Sequence, residues 1–100
     1  MRAEKIGAEA ALKALPGWSR GEGARETIVR TFRFGDFNRA FAFMSRCALL
    51  AEKLDHHPEW FNVYDRVEVT LTTHDADGIT TLDLETARFM NAAAAELGAR

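Results

Sequence analysis

Changes in the rhythm of apolar and polar positions divide the chain into elements. Over residues 3–15, Ile6, Ala8, Ala11, Leu12 and Leu15 fall on one broad side at helical spacing. LPGW, residues 15–18, stops that helix, because proline lacks a donor and glycine admits a turn. A short strand around Trp18–Arg20 and a longer one in RETIVRTFRF, residues 25–34, are placed to pair across GEG. Asp36 is an N-cap candidate for a second helix that should run to about His56 or His57, where Pro58 restricts the preceding residue. This helix carries two apolar stripes, one of Phe37, Phe41, Met44, Ala48 and Ala51, the other of Phe43, Cys47, Leu50 and Leu54. Together they are wider than one sheet-facing stripe needs. A chain of 100 residues has little material to cover both. The expectation is a helix packed on its own sheet and also on a neighbouring subunit, with Phe43, Cys47, Leu50 or Leu54 in the contact between copies.

Two further strands follow, WFNVY at 60–64 and VEVTLTTH at 67–74. The second alternates, with Val67, Val69 and Leu71 on one face and Glu68, Thr70, Thr72 and His74 on the other. After DADGI, Thr80 caps a last helix with Asp83 three residues on as a capping-box partner, and Leu84, Ala87, Met90, Ala94 and Leu97 form its inner stripe. No connection is long enough to demand a parallel crossover. The predicted fold is α+β, in the order α-β-β-α-β-β-α: a four-stranded antiparallel sheet with three helices on one face, the whole of 1–100 forming one domain.

The order of elements brings the three histidines together. If the last two strands form a hairpin turning at Asp65–Arg66, Tyr64 opposes Val67 and His57 opposes His74. Matching Phe61 and Val63 to the apolar face of the partner strand favours a three-residue turn or a bulge instead, with His56 or Pro58 opposite His74. In every register His56, His57 and His74 gather at the open end of the hairpin.

Composition narrows the choice of function. The chain is 47% hydrophobic and 28% charged with a formal net charge of −2, which gives no basic excess for binding nucleic acid. No apolar run approaches the roughly 20 residues of a membrane span. The start, MRAEKIGAEAALKAL, lacks the apolar centre of a secretory signal, and the single cysteine, Cys47, suits a reducing compartment, so a cytoplasmic location is expected. Cys47 itself lies in an apolar helical pattern and reads as a core thiol.

The histidines admit three readings. Carbonyls at a helix C-terminus, with Glu52 one turn before His56 and Asp55 adjacent, favour imidazolium there. A protonated imidazole is a general acid suited to expelling a hydroxyl, and a neutral one nearby can take a proton. Trp60 offers an aromatic wall for a flat heterocycle. Zinc is the second reading, although adjacent histidines rarely point both rings at one ion and no HExxH or CxxC spacing is present. Structural polar groups at a helix end are the third. Acid–base work is favoured among them.

The segment EKLDHHPEWFNVYDRV at 52–67, TLTTH at 70–74, the G-I-T-x-x-D pattern at 78–83, FNRAFAFM at 37–44 and GW at 17–18 resemble the pterin-4a-carbinolamine dehydratase family. The resemblance covers roughly residues 10–90. It implies an enzyme, a hydro-lyase that dehydrates 4a-hydroxytetrahydropterin to quinonoid dihydropterin and so supports recycling of tetrahydrobiopterin for aromatic amino-acid hydroxylases. It implies no metal and no organic cofactor. Carried across by motif, His56, His57 and His74 are catalytic. Asp55, His56, His57, Trp60, Thr72, Thr73 and His74 bind the pterin substrate, and Glu52 and Asp83 orient or tune. Asp83 also has a competing explanation as a capping residue. The family is further known for binding the dimerisation segment of a homeodomain transcription factor through the helices that build its tetramer. That implies a homodimer or homotetramer through the helix at 37–54, a transcription-factor or hydroxylase partner, and the alternative of a non-enzymatic helix-docking cofactor.

Overall fold

The computed structural model describes residues 3–100. The first helix is shorter than its apolar pattern suggests. Gly7, at φ 83°, breaks the chain, so α1 spans only Ala8–Leu12 and Lys5 instead bridges Thr80 as extended backbone. The strands are β1 (Ser19–Arg20), β2 (Ile28–Arg33), β3 (Glu59–Val63) and β4 (Arg66–Leu71). They form one antiparallel sheet in the order β1-β2-β4-β3, and with α2 (Phe37–Leu54) and α3 (Thr81–Glu96) they give the α-β-β-α-β-β-α fold expected.

The helices cover one face of the sheet. Ile28, Phe32, Val67, Val69 and Leu71 point into that side and are almost wholly buried, whereas Thr31, Arg33, Glu68, Phe61 and Val63 are exposed on the other. Phe32, Phe34 and Phe43 form the centre of the core, with ring centroids 4.8 Å apart for Phe32–Phe43 and 5.2 Å for Phe34–Phe43. Among the described residues no helix is long and apolar enough to cross a membrane.

The inner stripe of α2 is Ala40, Phe43, Cys47 and Ala51. Phe43 and Cys47 therefore belong to the core of their own chain and are not available to a neighbouring copy. The large apolar side chains that α2 leaves to solvent are Phe37, Phe41 and Leu49. On the 100°-per-residue wheel, Phe37 and Phe41 lie about a quarter-turn from the inner stripe.

Two boundaries near the histidines also differ from expectation. α2 stops at Leu54, because Asp55 adopts a left-handed conformation (φ 50°, ψ 45°). The His56 N–H then reaches back to the Ala51 carbonyl and the Asp55 N–H to that of Glu52, a paired closure that satisfies the last turn. The β4 strand ends at Leu71 rather than running to His74. Thr73 pairs with Gly78 instead, and His74–Ala76 make a single 3₁₀ turn.

The hairpin turns at Tyr64–Asp65, one residue earlier than expected, with Tyr64 at φ 50° and Val63 opposite Arg66. In this register Trp60 opposes Val69 and Asn62 opposes Val67, so Phe61 and Val63 face outward. Asn62 explains why a polar residue is tolerated inward: its amide donates to the carbonyls of Arg66 (2.9 Å) and Tyr64 (3.3 Å) and ties the turn.

Candidate active site

Three segments that end close together build the site. The closure of α2 delivers Asp55, His56 and His57; the end of β4 delivers Thr72, Thr73 and His74; the first turn of α3 delivers Leu82 and Asp83. A cleft of about 260 Å³ lies between them, lined by Asp55, His56, His57, Glu59, Thr72, Thr73, His74, Asp75 and Leu82. That volume is just below the roughly 300–1,000 Å³ of sites for drug-sized ligands and has room for a small molecule.

Asp83 is the node that joins the segments. It is fully buried, and each oxygen has work. Oδ2 accepts from the Thr80 N–H (2.9 Å) and the Thr73 hydroxyl (2.7 Å), and Oδ1 faces His56 Nε2 at 2.6 Å. The Thr80 hydroxyl, 2.8 Å from that of Thr73, in turn accepts from the Leu82 N–H, so the capping box of α3 and the support of His56 are one hydrogen-bonded network. The two explanations offered for Asp83 are thus compatible.

The other imidazoles are held in the same way from different sides. His57 Nε2 meets Glu52 Oε1 at 2.8 Å, across five residues, because the left-handed turn at Asp55 swings His57 back over the helix. The sequence had instead suggested His56 as the partner of Glu52. His74 Nε2 lies 3.4 Å from Glu59 Oε2. A carboxylate can only accept, so the His56 and His57 contacts call for an N–H at Nε2 and the longer His74 approach favours one, leaving Nδ1 as the nitrogen open to proton exchange with a bound molecule. Burial separates the three: His56 is 7% exposed, whereas His57 and His74 are open to solvent.

Among the described residues no three His, Cys, Asp or Glu side chains converge as a metal-binding group. The pairing of each ring with its own carboxylate explains the divergence.

Most of the residues named from sequence meet in the cleft. Trp60 lies outside its lining: it is half-buried on the inner face of β3 and packs against the core. Leu82 supplies the apolar surface in the cleft. Glu59, Asp75 and Leu82 were not foreseen. Glu59 was within reach, since it sits in the same HHPEW run and begins the strand. Its partner Arg25, which binds both its oxygens at 2.6 and 2.9 Å, lies too far along the chain for any local pattern to show. Arg25 holds the Glu59 carboxyl below the usual range, with His74 assisting.

Known proteins resemble the chain in sequence and in fold. Residues 2–93 match the family described as pterin 4 alpha carbinolamine dehydratase. A relative from Rhodopseudomonas palustris, provisionally named pterin-4-alpha-carbinolamine dehydratase, is 66% identical over 91 residues, covering 91% of this chain and 89% of its own. One from Brucella ovis, named in the same way, is 61% identical over 84 residues, covering 84% and 86%. A crystal structure from Brucella melitensis, described as a transcriptional coactivator/pterin dehydratase, superposes with a TM-score of 0.83 at 59% identity, over 86% of this chain and 90% of that one. A pterin dehydratase-like protein identified as a RuBisCO assembly factor in the alpha-carboxysome shares the fold, with a TM-score of 0.67 at 23% identity over 78% and 89% of the two chains.

Proposed function

From the premise that the chain belongs to the pterin-4-alpha-carbinolamine dehydratase family, we propose that it dehydrates a 4a-hydroxytetrahydropterin by histidine acid–base catalysis. The observation that carries this reading is the convergence of His56, His57 and His74 on one cleft, each with Nε2 facing a carboxylate.

In the reaction the C4a–O bond breaks, the proton on the neighbouring ring nitrogen departs, and a C=N bond forms to give quinonoid dihydropterin and water. A protonated imidazole delivers a proton to the leaving hydroxyl, and a neutral imidazole takes the proton from nitrogen through Nδ1. Because Nε2–H is kept in both protonation states, the carboxylates hold ring orientation constant while Nδ1 cycles. Asp55 offers a polar edge to the pterin ring and Leu82 an apolar one, while Thr72 and Thr73 line the cleft with hydroxyls already donated to the Glu26 carbonyl (2.8 Å) and to Asp83 (2.7 Å). Trp60, on the inner face of β3, packs against the core and anchors the strand. Glu52 and Asp83 orient His57 and His56.

Product released in this way needs a reductase to return it to the tetrahydro form, and we propose that the protein serves an aromatic amino-acid hydroxylase in the cytoplasm. We further propose a homodimer or homotetramer built through α2, because Phe37 and Phe41 lie side by side on its surface, centroids 5.8 Å apart, and remain 47% and 57% exposed. The same exposed pair favours a second reading, docking of a transcription-factor helix. That role has no use for a cleft lined by three imidazoles at the far end of the helix.

The test is spectrophotometric dehydration of freshly generated 4a-hydroxytetrahydropterin, with uncatalysed loss of water subtracted. Acceleration that survives exhaustive chelation is expected. No acceleration by folded protein would leave the docking reading, and activity lost on chelation and restored by zinc would revive a metal.

A further inference from the structure

Glu59 stands between two side chains from distant parts of the chain, and its geometry is more constrained than its exposure suggests. On one side the guanidinium of Arg25 engages both carboxylate oxygens in a fork, which fixes the plane of the carboxylate. On the other side Oε2 faces His74 Nε2. His74 has little else to hold it. It sits in a single 3₁₀ turn, its ring is 74% exposed, and the strand that leads to it has ended at Leu71.

This inference rests on the dehydratase reading: we propose that Glu59 is a positioning residue that sets the orientation and tautomer of the His74 ring, with Arg25 as the clamp that holds Glu59 in place. The carboxylate has no proton to offer, so the ring nitrogen facing it carries the hydrogen, and Nδ1 is left with its lone pair for the substrate. At 3.4 Å the contact is longer than the other two, and catalytic contacts commonly tighten when substrate binds. His56 and His57 have carboxylate partners at 2.6 and 2.8 Å, so Glu59 completes the same arrangement for the third ring. Ion pairs this exposed contribute little to folding. Loss of Glu59 is therefore expected to leave a folded protein.

Glu59→Gln and Glu59→Ala give different results. Oε2 receives both the shorter Arg25 bond and the His74 ring, so the amide oxygen takes that position and the NH₂ faces the other guanidinium nitrogen, which loses one prong of the fork. The His74 Nε2–H thus keeps its acceptor in Glu59→Gln, whereas Glu59→Ala removes the acceptor and lets the neutral ring exchange between tautomers. The experiment is ¹⁵N-resolved NMR of the histidine rings in the full-length protein, at a pH where His74 is neutral, with turnover measured on the same samples. The wild type is expected to show His74 protonated at Nε2. Glu59→Ala is expected to shift the population toward Nδ1–H and to lower kcat roughly fivefold, the scale of one exposed ion-pair contact, with KM changed much less, and Glu59→Gln to keep the Nε2–H tautomer and most of the turnover. Arg25→Lys, which cannot form the fork, should keep the Nε2–H tautomer and lose less turnover.

An unchanged His74 tautomer in Glu59→Ala overturns the proposal whatever the activity. A shifted tautomer with undiminished kcat overturns the catalytic part of it. A wild-type protein with no dehydratase activity, but with the tautomer shifting in Glu59→Ala as expected, refutes the reaction and upholds the positioning.

Discussion

A carboxylate buried without exposure and met by three donors tolerates little change, and Asp83 is such a group. In Asp83→Asn one of the two oxygens becomes an NH₂, which must face either the His56 Nε2–H or the Thr80 and Thr73 donors. The variant is expected to lose about 2–3 kcal/mol in urea denaturation, the worth of a broken buried bond to a charged group, and to lose activity with it. Cys47 is the opposite case, a reactive residue type made inert. Burial pushes its thiol up to about 12, so Ellman's reagent at pH 8 should leave the native protein untouched and react once it is unfolded. Both residues were readable from sequence, Cys47 by its apolar stripe and Asp83 by its capping position. What sequence could not show was that the capping carboxylate has a second oxygen to spare for His56, because that depends on how α2 closes.

At the scale of elements, the closure of α2 decides where the histidines go. Asp55 sits in left-handed space, where short polar residues and glycine are tolerated and β-branched residues are not. Asp55→Val is expected to cost about 1–2 kcal/mol and to impair catalysis by displacing both histidines that follow. Asp55→Gly should leave stability within about 0.5 kcal/mol of wild type, since glycine is the common occupant of this position. Thermal denaturation followed by circular dichroism checks both. The strand alternation in β4 was legible because its apolar residues face a core. In β3 it misled, since Phe61 and Val63 are apolar on the open face while inward Asn62 is satisfied by the turn, and an apolar-matching argument therefore picks the wrong register. The start of the first helix was misplaced for a related reason: alanine-rich spacing carried the pattern through Gly7, where the backbone does not follow.

Across the whole molecule, Glu26 braces the N-terminal segment against the loop that carries the site. Its carboxylate accepts from the Ile79 N–H (2.9 Å) and the Ala8 N–H (3.1 Å), and these bonds, Ile79 first, hold its carboxyl below the usual range. A carboxyl depressed in the folded state adds stability that is fully present above its unfolded value of about 4.5 and is lost as pH falls through the lower folded value. Acid unfolding should therefore steepen below about pH 4.5, and Glu26→Gln should be less stable at neutral pH and show a shallower acid limb in urea titrations. At the same scale, Phe41→Glu places a charge on the uncovered side of α2 and should lower the association state in sedimentation without unfolding the chain, because Phe41 is 57% exposed. The central claim is that the three carboxylate-held imidazoles act together on one substrate, and kcat of His56→Ala, His57→Ala, His74→Ala and their double variants tests it most directly. A ring that transfers a proton should lower kcat roughly 10²–10⁴-fold when removed, with double variants losing far less than the product of the single losses. Near wild-type kcat in all three single variants, each shown by circular dichroism to be folded, would contradict it.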